Sequence, residues 1–462
     1  MVLHVYTSLL ISSIFILGGF GKPSPAFSPP AACPVCASSN YIGQNNGSLA
    51  VQPRVTGKAY SRFIQIWLEN TDFSTAQASS TFKKLASEGI LLTNYNGVTH
   101  PSEPNYVASI SGDFFGMSDD KFYALPVNVS TQVDLLEARN ISWATYQENM
   151  PYSGFSGDYA QKNYLDPSSK GSYTYYMRKH NPLIICNSIA SVPARMNRIR
   201  NFNDFAIDVN ASALPSWVFI TPNLVNDGHD TDITFVSDWL EYFLVPLLDN
   251  PNFDDNETLV LLTFDENEDY KSQNTLYTLL LGGAVSNHKG TVDSTFYTHY
   301  SSLSSVQNNW GLGSLGRQDT NTTVAAVFQF QAKMTNHTNT VSDADPLMNL
   351  SGVSTGVCAS ERWIPVTAPN MSAVGAGAGP VFASNITSTV SVDNTTPLNL
   401  NAMGLVNPAT VIPSYSAPST DPNANATSSP PVTSSKSTAG QGYRIRAGPL
   451  GVVCPALAIL LL

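Results

Sequence analysis

Three places in the chain put acidic, amide or hydroxyl groups where they can do chemistry. Glu69-Asn70 directly follows one apolar run and Asp265-Glu266 follows another, while the segment 97–112 offers Ser102 flanked by His100 and Glu103. Carboxylate and amide oxygens are hard ligands of the kind that hold a divalent cation. Several carboxylates gathered without a cation would raise one another's pKa and cost stability, so an ion is the simplest reason to bring them together. Pro101 and Pro104 stiffen the turn around Ser102 and fix where its hydroxyl points. A serine beside a metal can lose its proton and attack an electrophile such as phosphorus. Each piece alone has an ordinary explanation, because Asp and Asn are also good helix caps and a serine in a proline-rich loop is common.

These groups become informative through the elements that must carry them. Residues 63–68, 217–220, 259–264 and 277–281 are nearly continuous apolar runs, as expected for strands covered on both faces of a parallel sheet. A helix is predicted over 75–88, with Phe82 and Leu85 inward and Gly89 as its C-terminal stop. Glu69-Asn70 closes the first strand, residues 222–230 with His229 close the second, and Asp265-Glu266 closes the third. Ligands of open parallel α/β sheets lie outside the carboxyl ends of the strands, so these clusters should converge although nearly 200 residues separate them. Glu148-Asn149 repeats the strand-then-polar pattern without an assigned role. The basic stretch Arg178-Lys179-His180 reads as a solvated helix end that could also neutralise substrate charge.

Four motifs in order, Phe63 with Glu69-Asn70, Thr99-His-Pro-Ser-Glu-Pro-Asn-Tyr106, Thr221-Pro-Asn-x-x-Asn-Asp-x-His229 and Thr263-Phe-Asp-Glu-Asn-Glu268, resemble the phosphoesterase family of fungal acid phosphatases and bacterial phospholipases C. The resemblance implies an α/β fold with a three-layer alkaline-phosphatase-like core and a mostly parallel central sheet. It makes Glu69, Asn70, Ser102, Asp265 and Glu266 the shell of a divalent metal ion, with Ser102 also the nucleophile, and places His100, His229 and His299 around the phosphate. Asn70 stands where the superfamily often has Asp and few histidines remain as ligands, so a single ion is expected. Thr99 competes as nucleophile; Ser102 is preferred because the Pro-Asn pair lies closer to it. The implied reaction is hydrolysis of phosphate monoesters through a phosphoserine, at low pH where the histidines would be protonated. A phospholipase C-type phosphodiesterase and a non-catalytic cell-surface glycoprotein are the alternatives.

Composition sets the surroundings. Of 462 residues, 34 are acidic and 23 basic, a net charge of −11 that leaves no electrostatic footprint for nucleic acid. Residues 1–26 have the pattern of a signal peptide. Residues 27–60 read as an N-terminal extension, 61–365 as the catalytic domain, 366–447 as a disordered Ser/Thr/Asn-rich stalk, and 448–462 as the apolar tail of a GPI-anchor signal. The expectation is therefore a secreted protein held at the plasma membrane or cell wall only through that anchor. Twelve Asn-x-Ser/Thr sequons agree with export. Once Cys454 leaves with the tail, Cys33, Cys36, Cys186 and Cys358 make an even set suited to two disulfides.

Overall fold

The computed structural model describes residues 43–163, 165, 166, 168, 170–340 and 369–382, all within the first of two compact units, residues 1–412. The apolar runs form the middle of a nine-stranded sheet. Its strands are β1 (Arg62–Leu68), β2 (Ile90–Asn96), β3 (Trp143–Gln147), β6 (Ile199–Asn201), β7 (Trp217–Thr221), β8 (Thr258–Phe264), β9 (Thr275–Leu281), β10 (Thr291–Asp293) and β11 (Tyr297–Thr298). The order is β10-β2-β9-β8-β1-β7-β3-β6, with β11 also on β2; β4 (Tyr159–Lys162) and β5 (Ser172–Tyr176) form a separate ribbon. All pairings in the main sheet are parallel except those of β9, which runs opposite to β2 and β8.

Strand β1 is buried along its whole length because both faces are covered. The register Trp67↔Thr263 and Leu68↔Phe264 puts Phe264 on the Leu68 side, since successive side chains alternate. Phe82 stacks on Phe264 at 5.6 Å between ring centroids, and Tyr106 meets Trp67 at 5.0 Å. The helices bearing Phe82 and Tyr106 therefore lie on opposite faces, giving the helix–sheet–helix layering that the resemblance implied. With β9 antiparallel between β2 and β8, the C-terminal ends of β1, β2, β3, β7, β8 and β11 all open on one edge.

The helix expected over 75–88 is broken in two. The chain forms α1 (Phe73–Ala78) and α2 (Ser80–Ser87), and Ser79 between them is extended, its hydroxyl accepting the Phe82 N–H as an N-cap. Serine competes with the backbone for hydrogen bonds and so starts a helix more readily than it continues one. Gly89 does follow α2, but it is outside the left-handed region. A Cβ there would sit 2.1 Å from the Leu280 carbonyl oxygen, so the glycine is required by the close approach of β9.

Two segments assigned to flanking regions belong to the domain. Residues 43–60 run as a strap, with Leu49 N–H donating to Asp208, Lys58 N–H to the Asn309 carbonyl, and Arg54 paired with Asp255. Residues 369–382, expected in the stalk, return to pack on it: Ser314 N–H donates to Pro380 O and Phe382 N–H to Ser314 O, both at 2.8 Å, while Ala376 is buried. Cys186, counted toward a disulfide, is a buried free thiol whose Sγ lies 3.5 Å from the Pro182 carbonyl oxygen. The signal peptide, the other four cysteines, the rest of the stalk and the anchor tail lie outside the described residues. Among the described residues, no helix is long and apolar enough to cross a membrane.

The Gly89→Ala substitution is expected to destabilise the protein by about 1–3 kcal/mol through overpacking against β9. Urea unfolding measures this, and a loss below about 0.5 kcal/mol would mean that the two backbones can separate without strain.

Candidate active site

Peptide hydrogen bonds tie the ends of the central strands together before any side chain takes part. Asp265 N–H donates to Leu68 O at 3.0 Å, and Glu69 N–H donates to Asp227 O at 2.9 Å. Glu69, Asp227, Asp265 and Glu266 thereby bring four fully buried carboxyl groups to one place. The serine arrives from α3 (Ser102–Ser111), the helix after β2. Asn105 on its first turn shapes the approach: its Oδ1 accepts the Val98 N–H at 2.8 Å, and its Nδ2 donates to Thr99 O at 2.7 Å.

Ser102 Oγ lies 3.1 Å from Glu69 Oε2 and 3.3 Å from Glu266 Oε1, so its single proton can be given to either carboxylate. Asn70 Nδ2 donates to Glu266 Oε1 at 3.0 Å. The five residues expected to form the metal shell thus sit together. Thr99 is distinguished from Ser102 by direction, since its hydroxyl donates to the backbone carbonyl of His100 at 3.0 Å. Ser102 is also the first residue of α3, where the positive end of the helix favours an anion.

The histidines divide. His100 is buried, with Nδ1 2.6 Å from Glu266 Oε2 and its ring stacked on the half-exposed Tyr270. His229 stands at the mouth, its Nδ1 2.7 Å from Asp230 Oδ1 and its Nε2 3.4 Å from Lys179 Nζ. His299 does not face the site cavity. Its Nε2–H donates to the Asp265 carbonyl at 2.6 Å, which leaves Nδ1 to accept from the Tyr95 hydroxyl at 3.3 Å, while its ring packs 4.3 Å from Trp67. With both nitrogens engaged and no exposure, His299 braces Asp265 from behind.

Sequence reasoning gave Tyr106 and Asp227 no role and weighed His180 and Lys179 only as part of a basic stretch that could neutralise substrate charge. His180 is buried, with Nε2 3.3 Å from Glu69 Oε1 and Nδ1 3.7 Å from Asp227 Oδ2. The Tyr106 hydroxyl donates to Glu69 Oε1, and Asp227 itself lies inside the motif that ends at His229. Lys179 Nζ sits 2.7 Å from Asp120 Oδ2. Arg178, Lys179 and His180 are therefore not a solvated helix end but a short 3₁₀ turn pressed against the site. The repeated run of tyrosines before them was the available signal, since Tyr175 and Tyr176 are the buried end of β5. Glu148 gains a role as well. It accepts the Asn223 N–H and the Asn226 Nδ2–H, each at 3.0 Å, and so holds the 222–230 loop in place.

Electrostatics follow from burial. Desolvation pushes the Glu69, Asp227, Asp265 and Glu266 carboxyls above their ordinary range, and Asp265 raises Glu69 further, as Glu266 does Asp265. Burial also lowers His100 and His180 and takes His299 down to about 3. The expectation that acid works by protonating the histidines is therefore corrected for His100 and His299, because a low dielectric disfavours the imidazolium. Both oxygens of Asp265, Oδ2 of Asp227 and Oδ1 of Asn70 are buried without a hydrogen-bond partner among the described residues, and Oε2 of Glu266 has only the His100 ring nitrogen beside it. Unpartnered hard oxygens beside mutually destabilised carboxylates are what a divalent cation satisfies. Glu69, His180 and His229 also bring one ligand atom each within 4.8 Å of one another.

A mostly parallel α/β sheet whose strand ends gather buried acids around a helix-borne serine is the arrangement that the four motifs led one to expect. The chain belongs to the phosphoesterase family, which matches residues 43–313. It is 51% identical over 266 residues to the phosphate-repressible acid phosphatase of Penicillium chrysogenum, covering 57% of this chain and 62% of that one. Identity to the acid phosphatase of Aspergillus fumigatus is 47% over 302 residues, covering 64% and 65%, and to the probable acid phosphatase of Kluyveromyces lactis 45% over 332 residues, covering 71% and 76%. The chain thus spans less than two thirds of the length of the Penicillium and Aspergillus relatives.

Burial raises Glu148 to about 7, the Asn226 and Asn223 hydrogen bonds offsetting part of the effect. Between the ordinary glutamate value of 4.5 and about 7 the folded chain holds a proton at Glu148 that the unfolded chain has released. Stability of the cation-free protein is therefore expected to fall as pH rises through that window. The Glu148→Gln variant should fall less steeply in chelator when midpoints are measured from about pH 4.5 to about pH 7.5; a slope equal to that of wild type would show that Glu148 titrates normally.

Proposed function

We propose that the protein is a secreted acid phosphatase that hydrolyses small phosphate monoesters through a phosphoserine at Ser102. The observation that carries this reading is the Ser102 hydroxyl at the N-terminus of α3, within hydrogen-bonding distance of both Glu69 and Glu266. The names of the three fungal relatives support the same activity. One divalent cation, held by Glu69, Asn70, Ser102, Asp265 and Glu266, would supply charge neutralisation at the phosphoryl oxygens and lower the pKa of the serine hydroxyl.

The residues of the chain account for the rest. Ser102 Oγ gives its proton to Glu69 Oε2 or Glu266 Oε1 and attacks phosphorus in line; the phosphorus–oxygen bond to the alcohol breaks as the new one forms. His229, at the solvent edge, is placed to protonate the departing alkoxide. Water then attacks the phosphoserine, and Ser102 leaves with a proton returned by the same carboxyl. Covalent catalysis in this form splits one hard displacement into two.

Export and surface attachment belong to this proposal. They are supported by the signal-peptide pattern of residues 1–26 and the anchor pattern of 448–462. They are also supported by the eight sequon asparagines among the described residues, none of which is buried: Asn46, Asn140, Asn210, Asn256, Asn321, Asn336 and Asn370 are exposed and Asn128 half-buried.

Hydrolysis of p-nitrophenyl phosphate at about pH 5 by the full chain tests the assignment. Ser102→Ala is expected to lose roughly 10³-fold or more in kcat, and chelator should abolish wild-type activity, while Thr99→Val keeps most of it. An active Ser102→Ala variant would move the nucleophile elsewhere, a pH–rate profile peaking above about pH 8 would reject the acid assignment, and faster turnover of bis-p-nitrophenyl phosphate would favour a diesterase.

A further inference from the structure

The site combines four buried carboxyl groups with a substrate that is itself an anion, so the source of positive charge facing the phosphate decides which esters bind. Most candidates are spoken for. The Arg178 guanidinium donates to the Tyr123 carbonyl at 2.6 Å, lies 3.9 Å above the Phe122 ring and stands 3.9 Å from Glu103 Oε1, on the far side of the helix start. His299 is locked behind Asp265, and His100 and His180 are held against acidic groups in the interior.

Lys179 is also paired, with Asp120, but it differs in where its ammonium stands and in being partly exposed. Its ammonium lies 3.4 Å from His229 Nε2, and His229 lies within 4.8 Å of both Glu69 and His180. It retains 13% side-chain exposure, enough to meet a ligand entering at the mouth. Asp120 fixes it there from one carboxylate: Oδ2 accepts from Lys179 Nζ at 2.7 Å, while Oδ1 accepts the backbone N–H of Glu103 at 2.9 Å, the residue next to the nucleophile. Asp120 is thus a positioning residue that couples the lysine to the start of α3. Burial alone would lower the lysine's pKa, but Asp120 and Glu69 more than offset this and keep it charged.

We propose that Lys179, held by Asp120, is the specificity-determining cation that favours phosphate monoesters over diesters by pairing with the additional unesterified phosphoryl oxygen that only a monoester carries. The inference rests on the phosphatase reading and deepens it. A monoester loses its second proton near about pH 6 and is largely dianionic at neutral pH, whereas a diester carries a single negative charge. An ammonium is a point charge suited to one such oxygen.

The test uses the full chain loaded with its metal at neutral pH, as wild type, Lys179→Met, Lys179→Gln and Lys179→Arg. It compares kcat/KM on p-nitrophenyl phosphate with that on bis-p-nitrophenyl phosphate, and separately measures inorganic phosphate binding by calorimetry. Lys179→Met and Lys179→Gln should lose about 100-fold on the monoester but less than about fivefold on the diester. Their phosphate affinity should weaken in parallel, and Lys179→Arg should restore much of the preference. Equal losses on both substrates, or phosphate binding as tight as in wild type, would overturn the proposal. A wild type that hydrolyses neither ester would remove the phosphatase reading and the ester preference with it, whereas weakened phosphate binding in Lys179→Met would still identify Lys179 as the phosphate-binding cation.

Discussion

Four carboxyl groups with no exposure to water are the most costly feature of this molecule, and much of the surrounding structure serves to tolerate them. Burial without compensation costs several kcal/mol per charge, so the acids are held by groups that are themselves fixed. The peptide links between β1, β8 and the 222–230 loop set their spacing before any cation is considered. Behind them stand His299, clamped on the Asp265 carbonyl, and Tyr106, whose hydroxyl meets Glu69 while its ring packs on Trp67. In front stands Asn105, which ties the 98–101 loop so that the serine on the next helix can point in only one direction. The site is built like a shell around repulsion, which a bound cation would turn into attraction.

The central fold was legible in the chain because the strands that position the site are covered on both faces. Continuous apolar runs end abruptly in Glu69-Asn70, Asp265-Glu266 and the 222–230 loop, and parallel topology requires those ends to meet. Ser102 was legible through its proline-flanked turn and its likeness to family motifs. Lys179 and His180 were not, because their burial depends on contacts with Asp120 and Glu69 far away in sequence, and a run of three basic residues looks the same on a solvated turn. Asp227 stands inside a recognisable motif, yet the histidine two residues later draws attention first because an imidazole has fewer ordinary roles than a loop aspartate.

His299 shows a different failure. Motif likeness placed it correctly at a helix start near the site, but not the rotation of its ring, which is decided by Trp67 and Tyr95 on separate strands. Ser79 shows a third: the apolar spacing of Phe82 and Leu85 was right, yet one polar residue ended the first helix and capped the second. For His100 and His299 the expected charging at low pH fails for the same reason as the basic stretch, since burial disfavours the imidazolium.

Residues 369–382 carry a mechanical meaning. The segment is fastened at Ser314 and Gly316 and packs against Ser304 and Asn308 on the helix His299–Trp310. The first residue of that helix is the one that holds the Asp265 carbonyl. The returning segment and the carboxyl cluster therefore bear on one and the same helix, the segment along its body and the cluster at its first residue.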